Sequence, residues 1–137
     1  LKDNIIYLKL VKDTHPLTLS KSIKTLLSRV IGKHFHAEIS QRVQKINQQH
    51  FQKDIKSVNL KYNSSNWGSC STKLNINLST RLLFSPPEVI DYVIIHELTH
   101  LIEMNHSPKF WKIVKSVMPD YKQKEKWLKE YGKHCNF

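Results

Sequence analysis

One segment of this 137-residue chain restricts its fold more than any other. Val89 to Met104 is apolar enough to be buried, yet it contains His96, Glu97 and His100. Ahead of it, Ser85-Pro86-Pro87-Glu88 reads as a helix start, with Ser85 as the cap, Pro86 at the first helical position and Glu88 completing a capping box. A helix from there runs to about Met104, and Asn105 suits the left-handed turn that ends a helix. Residues four apart share a helical face, so His96 and His100 stand one turn apart with Glu97 beside them. Burying two imidazoles and a carboxylate is costly unless they are paired or bind a metal.

His96-Glu97-Leu98-Thr99-His100 is an H-E-x-x-H pattern. Both imidazoles can reach one ion at about 2.0–2.1 Å, and Glu97 can meet a metal-held water without taking a metal position. The plainer alternative is a pair of core histidines satisfied by hydrogen bonds. A catalytic zinc takes three protein ligands and leaves one position open. Glu103 and His106 are the candidates for the third. Glu103, three residues on along the same helix, sits too far up the axis to close a tetrahedron with both histidines. His106 lies beyond the break at Asn105 and can approach from the side, so it is preferred. The expected cofactor is one zinc per chain, with nickel or another divalent metal as a substitute.

The rest of the chain predicts an α+β fold, mostly helical with a small antiparallel sheet. Residues 4–11 are β-prone, and His15-Pro16 breaks that pattern. Leu19, Ile23, Leu26 and Val30 have helical spacing, Gly32 is a weak break or kink, and Phe35, Ile39, Val43 and Ile46 resume it to about Gln49. Val58-Leu60-Tyr62 and Leu74-Ile76-Leu78 alternate as half-buried strands and read as an antiparallel pair joined by a long loop. Within that loop, Trp67-Gly68-Ser69-Cys70 reads either as a substrate-guiding segment beside the metal or as a core Trp with a Gly that lets the chain turn. Ser107-Pro108 starts another helix, Pro119 ends it, and a last helix starts at Asp120. His34-Phe35-His36 cannot put both imidazoles on one helical face and reads as surface.

Length fits one domain, residues 1–137, and 39% apolar residues supply a core. The chain begins at Leu1, so residues 1–16 are read as the remnant of a longer N-terminal β region, and the sequence as a fragment. No run approaches the roughly 20 apolar residues of a membrane span, which excludes a helical membrane protein and makes a cytoplasmic protein the expectation. Cys70 and Cys135 make no disulfide framework and read as free thiols. Net charge is +11, from 22 Lys and Arg against 11 Asp and Glu. That favours an acidic partner such as nucleic acid or anionic lipid, although the dense stretch from Lys122 to Lys133 is explained as well by a solvated helix face.

Four ordered blocks, Trp-Gly-Ser-Cys-Ser at 67–71, Ile-Asp-Tyr-Val-Ile-Ile-His-Glu-Leu-Thr-His-Leu at 90–101, Asn-His-Ser-Pro-Lys-Phe-Trp at 105–111 and Met-Pro-Asp-Tyr at 118–121, resemble the YgjP-like zinc metallopeptidases, relatives of the SprT and WLM metallopeptidase domains. The resemblance spans about residues 33–132. It implies a zincin-like core, zinc on His96, His100 and His106, Glu97 as catalytic base, and a substrate cleft bordered by Trp67, Gly68 and Ser69. The chain departs from the family pattern at Asn66, where Arg is usual, and at Leu74, where Gly is usual. Members with a longer N-terminal β-rich region add to the reading of this chain as a fragment.

The expected reaction is peptide-bond hydrolysis, with Glu97 taking a proton from water and passing it to the leaving amine. Tyr92, Tyr121 and Asn77 are candidate oxyanion donors. Two rivals change the substrate or the role: a metal-dependent hydrolase acting on nucleotides or nucleic-acid-associated substrates, and a basic nucleic-acid-binding module with structural zinc.

Overall fold

A computed structural model describes residues 16–135. The strand expected at residues 4–11 lies outside the described residues. Helix α1 runs unbroken over Pro16–Ile46 and widens into a π turn, Asn47–Phe51. Its later half is the buried part, through Ile39, Val43 and Ile46. Gly32 does not break it. A Cβ there would lie 3.0 Å from the Leu60 carbonyl oxygen, so the missing side chain lets the helix press against the first strand.

Strands β1 (Ser57–Lys61), β2 (Gly68–Cys70) and β3 (Asn75–Ser79) form one sheet in the order β1-β3-β2. The expected antiparallel pairing of the two longer strands is corrected here. β1 and β3 run parallel, with Val58 opposite Ile76 and Leu60 opposite Leu78. The segment between them contains the short strand β2, antiparallel to β3. One reversal would have made the outer pair antiparallel, and the second reversal at β2 makes it parallel. Ile76 and Leu78 point into the core, while Asn59, Asn77 and Ser69 are joined by side-chain hydrogen bonds on the other face.

A 3-10 segment, Thr80–Phe84, leads to α2, Pro87–Thr99. Ser85 does not cap α2. Its hydroxyl donates back to the Leu82 carbonyl, and α2 begins one residue later than expected with no side-chain cap. The helix also ends earlier, at Thr99, and turns through His100–Ile102 replace its last turn. Asn105 does not adopt the left-handed conformation. Helix α3, Pro108–Val117, is capped by Ser107 as expected, its hydroxyl accepting from the Phe110 N–H at 3.3 Å. Helix α4, Tyr121–Tyr131, and the 3-10 turn Gly132–Cys135 complete the described chain.

Helix α2 is central. Ile94 and Leu98 are fully enclosed with Ile76, Val43, Phe110 and Val114, drawn from β3, α1 and α3. Arg42 of α1 grips the Asp91 carboxylate of α2 with two guanidinium nitrogens and donates to the Pro87 carbonyl at 3.3 Å. The lysine-dense stretch on α4 is largely neutralised along its own helix: Lys124 pairs with Asp120, Lys126 with Glu130 and Lys129 with Glu125, each one turn away. His34 is surface as expected. His36 is exposed too, but its Nε2 reaches the Val58 carbonyl oxygen at 2.7 Å.

Candidate metal centre and cleft

Helix periodicity places His96 and His100 on one face of the end of α2, and the turn after Thr99 brings His106 back against them. One ligand atom from each of the three lies within 4.8 Å of the others, and the Nε2 atoms of His96 and His106 are 3.1 Å apart. Two nitrogens on one tetrahedral zinc are separated by roughly 3.3–3.4 Å, given zinc–nitrogen distances of about 2.0–2.1 Å. The spacing and the donor type therefore fit a zinc ion. Glu103 is outside this group. Its carboxylate stands 4.0 Å from Lys109 Nζ, and its backbone carbonyl faces His100 Nδ1 at 3.2 Å. A carbonyl only accepts, so Nδ1 of His100 carries the proton and Nε2 keeps its lone pair.

The three imidazoles rest on one ring. Phe110, fully buried, has its centroid 4.9 Å from His96, 4.6 Å from His100 and 4.9 Å from His106. Trp111 packs behind His96 and His106 and stacks on Tyr121. Burial, followed by the charges of His100 and His106, pushes the His96 imidazole down to about 4, which keeps it in the neutral form that binds metal. Burial also lowers His100.

Glu97 is 6% exposed and has no hydrogen-bond or ionic partner among the described residues. Burial alone pushes its carboxyl up to about 7. A carboxylate poised near neutral pH beside a metal set is suited to taking up and releasing a proton. Strand β2 covers it. Gly68 and Cys70 face inward in the register, and a Cβ on Gly68 would lie 3.1 Å from Glu97 Cγ. The Cys70 thiol is pushed up to about 11, chiefly by burial and then by the Glu97 charge, so it stays protonated and unreactive at neutral pH.

A cleft of about 590 Å³ opens over these groups. Trp67, Gly68 and Ser69 form one wall together with Cys70, and α4 lines the cleft through Glu125, Leu128 and Lys129. Trp67 also fulfils the packing role. The Arg81 guanidinium lies 4.0 Å over its ring, and a Cβ on Gly132 would come within 2.5 Å of it, so the indole is clamped between the 3-10 segment after β3 and the C-terminal turn. Of the three candidate oxyanion donors, Tyr92 lines the cleft, whereas Tyr121 is buried beneath it and the Asn77 amide donates to Ser69 on the outer sheet face. Phe110, Arg81, Gly132 and the α4 wall were not singled out from the sequence. Phe110 had only its apolar helical position to offer, and Gly132 a place near the chain's end.

A family model for the YgjP-like metallopeptidase domain matches residues 3–131. The chain belongs to the YgjP-like metallopeptidase family. Its fold is shared with two archaeal metallopeptidase zymogens: Pyrococcus abyssi abylysin, at TM-score 0.59 and 22% identity over 67% of this chain and 93% of that one, and Methanocaldococcus jannaschii jannalysin, at TM-score 0.59 and 21% identity over 67% and 94%. Among curated proteins, none matches the sequence. This YgjP-like domain is thus a metallopeptidase with a mostly helical zincin-like core and a small mixed sheet. Among the described residues no helix is long and apolar enough to cross a membrane.

Proposed function

We propose that the chain is a zinc-dependent peptidase, a single catalytic domain over residues 1–137, in which His96, His100 and His106 hold the ion and Glu97 is the general base. The observation that carries this reading is the convergence of three imidazole nitrogens beside a buried, partnerless carboxylate on the floor of a cleft. Zinc in such a set supplies Lewis acidity and a place where water loses its proton near neutral pH. Glu97 accepts that proton as the water attacks the peptide carbonyl, then delivers it to the leaving nitrogen, so the C–N bond breaks with the amine neutral. Tyr92, which lines the cleft, is the candidate donor to the developing oxyanion. Trp67, Gly68 and Ser69 border the substrate.

The cleft chemistry favours peptides over phosphate esters. Lys129 is its one Lys or Arg among the described residues, and it is paired with Glu125 at 3.4 Å. The one other carboxyl of the lining is Glu97, so the cleft side chains carry no excess of Lys or Arg to hold a phosphate. The ligand set is tested by chelator competition on single variants. His106→Ala is expected to weaken zinc at least tenfold more than Glu103→Ala, and nickel or cobalt to occupy the same site. The reverse ranking overturns the assignment of His106.

A further inference from the structure

The +11 charge is not spread evenly. From Lys21 to Arg81 the chain has eleven Lys and Arg against two acids, whereas from Leu82 to Cys135 it has eight against seven. The excess therefore lies on α1 and on the segments around the sheet, while the α2–α4 half is close to neutral. On that basic side two grooves, of about 410 and 300 Å³, share Asn59 and Lys61. The first begins at Lys33 and His36 of α1. The second continues across Asn63 and Asn77 to Asn66, Gly68 and Ser69. Those last three residues also line the metal cleft, so the two grooves form one trough from α1 to the cleft rim. No carboxylate lines it, and Lys33 and Lys61 are exposed with no ion pair among the described residues.

We propose that this trough is an exosite for an acidic stretch of the polypeptide substrate, which lies along Lys33 and Lys61 and crosses the β2 rim into the cleft. The proposal rests on the peptidase reading above. Two unpaired ammonium groups complement Asp and Glu side chains, and Asn59 Oδ1 and Asn63 Nδ2, left over from the hydrogen bonds that tie Asn59 to Ser57 and Asn77 and Asn63 to Ser65 and Asn66, offer an acceptor and a donor to an extended backbone. The net field of the same half of the molecule steers an acidic chain toward the trough. Nucleic acid fits less well. Tyr62 is the one Phe, Tyr or Trp along the trough, whereas single strands are held by successive stacking platforms.

The test is binding to zinc-loaded Glu97→Gln protein of residues 1–137, which spares the probe. Two fluorescein-labelled peptides of equal length are compared, one with a run of Asp and Glu, the other with Ser and Gly in its place. The acidic peptide is expected to bind at least tenfold more tightly at low salt, with the advantage fading as salt rises. Lys33→Gln with Lys61→Gln is expected to weaken it about tenfold, the size for two exposed ionic contacts. Lys112→Gln with Lys115→Gln removes the same charge from exposed positions on α3 and is expected to leave it unchanged. Equal losses in the two double variants, or no preference between the peptides, overturns the exosite. So does a single-stranded oligonucleotide whose binding falls in the Lys33/Lys61 variant while that of the acidic peptide does not. Binding needs no hydrolysis, so a failure of the catalytic reading leaves this result legible.

Discussion

Gly68 lies directly against the side chain of Glu97. A Cβ built at Gly68 would stand 3.1 Å from Glu97 Cγ and 3.3 Å from Oε1, and 2.9 Å from the backbone carbonyl oxygen of Asn77. Since no glycine has a positive φ, this glycine is required by closeness rather than by backbone conformation.

Gly68→Ala follows from that contact. The Asn77 carbonyl belongs to β3 and cannot yield cheaply, so the methyl displaces β2 or Glu97. Overpacking of this kind costs about 1–3 kcal/mol. The expected outcome is a lower melting temperature and at least a tenfold fall in kcat/KM, because small displacements of a catalytic group are expensive in rate. Zinc content stays at one per chain, since the histidines are held by Phe110 and not by β2. Wild-type kcat/KM in this variant contradicts the contact.

Leu74 is held at φ 66°, the left-handed region that disfavours any side chain with a Cβ, and its own side chain is 39% exposed. The turn from Ser71 to Leu74 imposes this, closed by the Leu74 N–H on the Ser71 carbonyl at 3.0 Å. Here lies the physical meaning of the departure from glycine noted in the sequence. Leu74→Gly is expected to stabilise the protein by about 1 kcal/mol, read as an upward shift of the urea midpoint with unchanged slope. A destabilised variant shows that contacts of the Leu74 side chain outweigh the backbone strain.

The metal-free protein has an unusual acid profile. Glu97, raised to about 7 from an ordinary 4.5, contributes stability that is fully present below pH 4.5 and lost as pH rises through 7. His96, lowered to about 4 from 6.5, contributes stability present above pH 6.5 and lost as pH falls through 4. Between pH 4.5 and 6.5 the two slopes oppose each other. Chemical denaturation in chelator is expected to show Glu97→Gln losing stability more steeply than wild type as pH falls across that window. Parallel profiles contradict the burial of Glu97.

The convergence of His96, His100 and His106 was legible because its signal is local. His96, Glu97 and His100 are fixed by helical periodicity within five residues, and His106 needed only the end of that helix, read at Asn105 and found at Thr99. The sheet was less legible. β2 is three residues long, contains Gly68, and has no apolar alternation, so its strand character comes from pairing with β3 and from covering Glu97. Once β2 is missed, β1 and β3 are given the wrong relative direction. Ser85 was misread for a related reason: the same hydroxyl could close the preceding 3-10 segment or cap α2, and the tertiary fold selects the first. Phe110 under the histidines, and Trp67 between Arg81 and Gly132, depend on residues far apart in the chain, which spacing alone does not bring together.

The central claim is that Glu97 moves the proton and does not hold the metal. Glu97→Gln keeps the shape of the side chain and removes its ability to accept a proton. General-base assistance is typically worth 10²–10⁴-fold in rate, about 3–5 kcal/mol of barrier. The direct measurement is zinc content, melting temperature and kcat on one peptide substrate, taken side by side on wild type and variant. The account predicts one zinc per chain in both, a melting temperature in the variant equal to or above wild type, and kcat reduced at least a hundredfold. Loss of zinc from the variant, or equal kcat in the two proteins, contradicts it.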